Sequence, residues 1–157
     1  MTQVLWTWDE LVAASGGMPD GSPEGPITGV SIDSRTLRSS ELFVALKDVR
    51  DGHAFVPAAF AAGAGAAVVS HSYRRQPSDG ALLKTDDTLT ALQAIGRAAR
   101  ARTAARVIAV TGSVGKTGTK EALRACLSRL GPTHAAEMSF NNPWGVPRAG
   151  ARDEPAR

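Results

Sequence analysis

The stretch from Val107 to Leu123, VIAVTGSVGKTGTKEAL, limits what this chain can fold into more than any other. An apolar run passes through a glycine turn into Gly-Lys-Thr and then into a helical pattern. Backbone N–H groups can converge on a phosphate only where glycines allow close approach, at a helix N-terminus whose dipole favours anions. A lysine must then reach the terminal phosphates, and a hydroxyl residue must face Mg²⁺. Gly112, Ser113, Val114, Gly115, Lys116 and Thr117 supply that set. The strict phosphate-loop spacing would need glycine at position 110, which is valine, so the loop is a compact variant. The plain alternative is a glycine-rich turn with a chance lysine; strand, turn and helix in the required order weigh against it.

The remaining chain reads as α/β. Thr7-x-x-Glu10 is a capping box that opens a helix over 7–15. GGMPDGSPEGP (16–26) reads as a glycine and proline loop. ITGVSID (27–33), ELFVAL (41–46), AAVVS (66–70) and ALLK (81–84) read as strands, with a helix between Ala54 and Gly63. Leu89, Leu92, Ile95 and Ala99 recur at helical spacing after an aspartate start, predicting a helix over 85–102. RVIAV (106–110) is too apolar for an exposed face and predicts a central parallel strand. The helix after it, from Thr117, is expected to bury Cys126, the single cysteine. These segments predict a unit over 1–84, a second unit over 85–147, and a disordered tail over 148–157 that lacks periodicity.

Charge excludes some functions. The net charge of +3 comes from fourteen arginines against four lysines, scattered without a block, which argues against a nucleic-acid partner. One cysteine cannot form an internal disulfide, and the start MTQVLWTWDE lacks the pattern of a signal peptide. VPAAFAAGAGAAVVS is too short to span a bilayer, so the expectation is a cytoplasmic protein without membrane contact.

VTGSVGKTGTKEAL resembles the ATP loop of the Mur ligases, T-G-[ST]-x-G-K-[ST]. Thr119-Lys120-Glu121 resembles the branch of that family that adds D-alanyl-D-alanine to UDP-N-acetylmuramoyl-tripeptide. Residues 29–70, with Asp33-Ser34-Arg35 and Asp51-Gly52-His53-x-Phe55, are similar to the family's N-terminal UDP-binding domain, and SFNNPWGVP (139–147) to a segment near its ATP and peptide substrates.

The resemblance implies a small substrate domain followed by the first βαβ portion of a P-loop ATPase domain, incomplete at its end, and a monomer in the full-length family. It implies an ATP-dependent ligase of peptidoglycan precursor synthesis. Lys116 would be catalytic on the γ-phosphate and Thr117 would hold Mg²⁺. Asp33, Ser34, Arg35 and His53 would contact UDP-N-acetylmuramoyl-peptide, joined by Asn141 and Asn142. Asp33-Ser34-Arg35 could instead be only an Asx turn and His53 only a turn cap. A non-catalytic UDP-sugar or nucleotide-binding module, or a ligase adding the third peptide residue, are the other functional readings. Two departures stand out: Gly118, which costs the helix up to ~1 kcal/mol, and Pro143, which removes an N–H after the paired asparagines.

Overall fold

The structure is a computed structural model and describes residues 4–47 and 50–135. Asn141, Asn142 and the expected tail lie outside the described residues.

Five strands form one sheet, in the order β1-β5-β4-β3-β2. They are β1 (Met18–Asp20), β2 (Gly29–Ser31), β3 (Glu41–Val44), β4 (Ala66–Ser70) and β5 (Ala81–Thr85). β2 to β5 run parallel, and β1 closes one edge antiparallel to β5. Strands covered on both faces should be apolar throughout rather than alternating. The sheet follows this: all four residues of β3 and the first four of β4 are buried. Period-two geometry then sorts them. Leu42, Val44, Ala66, Val68, Ala81 and Leu83 join one apolar cluster; Phe43, Ala45, Ala67, Val69 and Leu82 join another.

Helix α1 (Trp8–Ser15) and helix α3 (Thr88–Arg102) cover the first face. In α1 the Thr7 hydroxyl accepts from the Glu10 N–H at 3.3 Å, and the Glu10 carboxylate accepts from the Thr7 N–H at 2.8 Å. The expected capping box is therefore in place. In α3 the Asp87 carboxylate caps by accepting from the Thr90 N–H at 2.6 Å. The second face is covered by α2 (Val56–Ala61), which a 3₁₀ turn, Gly52–Phe55, leads into.

Three sequence expectations meet differences here. Met18–Asp20 is a strand, not loop. Three residues with a proline give almost no period-two signal, yet Pro19 is tolerated because β1 is an edge strand. Residues 106–110 form no strand; Val107 and Ile108 are more than half exposed. A β-forming run becomes a strand only when a neighbour takes its N–H and C=O groups, and none of the five strands pairs with it. Helix α4 (Lys116–Leu127) forms as expected but buries none of its residues, and Cys126 is exposed. A helix pattern marks an apolar stripe; it does not supply the surface that covers it.

Helix α3, which the sequence reading assigns to the second unit, shares a core with residues before position 84. Ala91, Leu92, Ile95 and Ala99 of α3 pack in the same cluster as Trp6, Leu11 and Val30. Arg102, at the end of α3, lies 3.6 Å over the Trp6 ring and donates to the Leu5 carbonyl at 2.9 Å. Helical spacing finds the buried face of α3 but does not say which sheet it meets.

Candidate functional site

Phosphate-loop residues stand between residues 106–110 and α4. Gly115 is the N-cap of α4 in the left-handed region at φ 79°, and Gly112 has φ 148°. Side chains avoid these angles, which explains the glycines. Gly115 offers no side-chain cap, so the N-terminus of α4, whose dipole favours an anion, is open to the loop. The Lys116 ammonium folds back onto the Gly112 carbonyl, closing the loop on itself. Ser113 and Val114 are exposed between them, and Thr117 follows in the first turn of α4.

A second constellation lies at the carboxyl edge of the parallel strands, where open α/β sheets bind ligands. Asp33, Ser34 and Arg35 follow β2. Asp33 builds an Asx turn, accepting from the Arg35 N–H at 2.9 Å, and its carboxylate takes the Arg35 guanidinium at 3.0 and 2.7 Å. That pairing raises the guanidinium's hold on its proton, through hydrogen bonding first and charge second. The guanidinium stays largely exposed. Two of its five N–H groups meet Asp33, so the rest can meet an anion.

His53 stands beyond β3, inside the 3₁₀ turn. A Cβ at Gly52 would come within 2.6 Å of the Leu46 carbonyl, so only glycine fits between Asp51 and His53. The Asp51 carboxylate meets His53 Nδ1 at 2.5 Å and the His53 N–H at 3.0 Å. These bonds, the backbone one foremost, hold the Asp51 carboxyl below the usual carboxylate range. The Ser70 N–H donates to His53 Nε2 at 2.9 Å, so Nε2 carries a lone pair and the ring proton sits on Nδ1. His53 thus pins the β3 loop to the end of β4.

An open cavity of about 330 Å³ lies here, lined by Lys47, Asp51, His53, Ser70, Tyr73 and Arg74 among others. Its size sits at the low end of small-molecule sites. The structure brings His53 into this cavity and leaves Asp33, Ser34 and Arg35 outside its lining, at the end of the neighbouring strand. Sequence reading missed Lys47, Ser70, Tyr73 and Arg74. HSYRRQPSDG looked like a polar connection, and the available signal was its place after the buried strand β4.

Among the described residues no three His, Cys, Asp or Glu side chains cluster as a metal site, and no helix is long and apolar enough to cross a membrane.

With this sheet and the glycine loop after it, the chain is similar to the N-terminal region of Mur ligases. The similarity is higher to D-alanyl-D-alanine-adding ligases, MurF, than to the UDP-N-acetylmuramoyl-L-alanyl-D-glutamate–2,6-diaminopimelate ligase of Syntrophomonas wolfei, 34% identical over 117 residues. The chain is 43% identical over 122 residues to the UDP-N-acetylmuramoyl-tripeptide–D-alanyl-D-alanine ligase of Bacillus subtilis, covering 77% of this chain and 27% of that one. The chain thus spans about a quarter of its relative's length. MurF from Acinetobacter baumannii shares the fold at a TM-score of 0.81 and 36% identity, over 98% of this chain and 35% of that one. MurF from Thermotoga maritima in complex with ADP matches at a TM-score of 0.63 and 27% identity, over 80% of this chain and 29% of that one. No protein-family model matches the chain.

Proposed function

We propose that this chain supplies the UDP-substrate and phosphate-loop elements of an ATP-dependent ligase that joins D-alanyl-D-alanine to UDP-N-acetylmuramoyl-tripeptide in peptidoglycan precursor synthesis, in the cytoplasm. One observation carries the reading: the motif residues that follow β2 and β3 emerge at one sheet edge, in a fold shared with MurF.

In this reading Arg35, oriented by Asp33 and accompanied by Ser34, meets the diphosphate of the UDP-sugar, and His53 orders the adjoining wall. We place the substrate unit at residues 1–102, with the nucleotide-binding segment after it; Asn141 and Asn142 are proposed contacts of that second part. The amides at the start of α4 and the Lys116 ammonium would hold the β- and γ-phosphates of ATP. Lys116 would have to leave the Gly112 carbonyl and would then offset charge on the transferring group. The exposed Thr117 hydroxyl suits one ligand position of Mg²⁺, with phosphate oxygens as others. When bound, that ion would neutralise phosphate charge. The tripeptide carboxylate takes the γ-phosphoryl group with release of ADP, and the amine of D-alanyl-D-alanine displaces phosphate to form the amide.

Isothermal titration of the 157-residue chain with UDP-N-acetylmuramoyl-tripeptide tests the substrate reading. Saturable binding that weakens about tenfold or more in Arg35→Ala is expected, the loss of a charge-assisted pair. Absence of binding, or equal affinities, would contradict it.

A further inference from the structure

Helix α3 ends without the glycine that commonly closes a helix; its C-cap, Thr103, is extended at φ −103° and ψ 135°. Side chains hold that end instead. The Arg102 guanidinium lies 3.6 Å over the Trp6 ring, donates to the Leu5 carbonyl at 2.9 Å and meets the Glu10 carboxylate at 3.3 Å. Its partners are fixed in turn. The Trp6 N–H donates to the Ile27 carbonyl at 3.0 Å, and the Trp6 carbonyl accepts from the Ile27 N–H at 2.9 Å. Glu10 closes the capping box of α1. One guanidinium thus ties the end of α3 to a carbonyl 97 positions earlier in the chain.

The first residues past the helix are held as well. Arg100 Nη1 donates to the Thr103 carbonyl at 3.0 Å, and the Ala105 N–H to the Thr103 hydroxyl at 3.2 Å. From residue 106 to the phosphate loop the chain has no helix or strand, and residues 106–109 are exposed. Exposed backbone outside regular structure is where local stability is lowest. The hold on Arg102 is geometric rather than fully paired, because its Nε is buried without a hydrogen-bond partner among the described residues. A buried donor left unpaired costs free energy, so the stack on Trp6 and the two Nη contacts must keep the group in place. A lysine has neither the plane to stack nor the fork to reach two acceptors.

We propose that Arg102 is a latch that sets the pivot of the chain: it keeps the end of α3 rigid through Ala105, so the segment carrying Gly112 to Thr117 turns about residues 106–111 and not about the helix. The latch does not rest on the ligase reading. Where that reading holds, a short pivot narrows the orientations from which the phosphate loop can meet a substrate bound at the sheet, and reaction needs such alignment. Arg102 is then a positioning residue that touches neither ligand.

The test is backbone ¹⁵N relaxation of the 157-residue chain. In the parent, order parameters should stay near about 0.85 through Ala105 and drop below about 0.6 between Arg106 and Thr111. In Arg102→Ala the drop should begin before residue 102, with residues 89–95 unchanged. Arg102→Lys keeps the charge near Glu10 and loses the stacked fork, and it should show the same early drop. A parent that loses order before Arg102, or that stays rigid across residues 106–111, would overturn the proposal. So would variants whose order profiles match the parent's, even with a lowered urea midpoint, since Arg102 would then add stability without setting the pivot. If Arg102→Ala unfolds the sheet unit, Arg102→Lys decides. Unfolding of both would overturn the latch, because Arg102 would then belong to the core.

Discussion

At the scale of single residues, His53 shows how one side chain serves both shape and site. Its Nε2 takes the Ser70 N–H and its Nδ1 meets Asp51, so it fixes two strand ends that line one cavity. Removing it leaves the half-buried Ser70 N–H without an acceptor. His53→Ala is expected to cost about 1–2 kcal/mol, the range for a lost hydrogen bond with an unsatisfied partner. The check is a lowered urea midpoint at unchanged slope, and His53→Gln, which restores an acceptor, should recover part of it. The acidic residues make a pH prediction. Turn and cap hydrogen bonds hold the Asp51 and Asp87 carboxyls below their ordinary range, the backbone bonds from His53 and Thr90 foremost. A carboxylate lowered in the fold stabilises fully above its unfolded pKa, near ~4, and loses that as pH falls through the folded value. Urea midpoints should therefore drop as pH falls below about 4. Asp87→Asn keeps a good cap and should flatten the drop.

At the scale of elements, α3 shares in covering the sheet. Leu92 and Ile95 are fully buried against the sheet face that α1 also covers. Leu92→Ala should cost about 2–5 kcal/mol, as for other large-to-small core changes. A polypeptide of residues 4–102 should give a cooperative urea transition, and one of residues 4–84 should not, because α1 alone would be left to cover that sheet face. Equal cooperativity of the two would show that α3 is dispensable. Most elements were legible because their signals are local: the Thr7 and Glu10 box, the buried run of β4, and the period of α3. What was not legible depends on partners distant in sequence. β1 exists because β5 offers an edge, α3 packs in the core that α1 shares, and residues 106–110 have no strand to join among the described residues. The site divides the same way. Asp33, Arg35 and His53 could be named from motifs, whereas Tyr73 and Arg74 come to line the cavity only through the order of β3 and β4 in the sheet.

At the scale of the whole molecule, two edges of one sheet offer competing sites. The carboxyl edge carries the cavity of Lys47, His53 and Arg74. Near the opposite end lies another open cleft, of about 430 Å³, lined by the loop Gly21–Pro26 with Ser39, Ser40 and Gly63. The second is larger, yet the one cation in its lining is Arg75, which is committed to Asp20 and to two carbonyls. Volume favours the second cleft and chemistry the first. For a ligand carrying a diphosphate, chemistry should win, because desolvating phosphate without counter-charge is costly. We propose that the carboxyl edge, rather than the second cleft, takes the UDP-sugar peptide. Amide hydrogen exchange of the 157-residue chain, with and without UDP-N-acetylmuramoyl-tripeptide, tests it most directly. The ligand should slow exchange in residues 31–35, 50–54 and 70–76, with residues 21–26 unchanged. Slowed exchange confined to residues 21–26 and 63–65, or none anywhere, would contradict it.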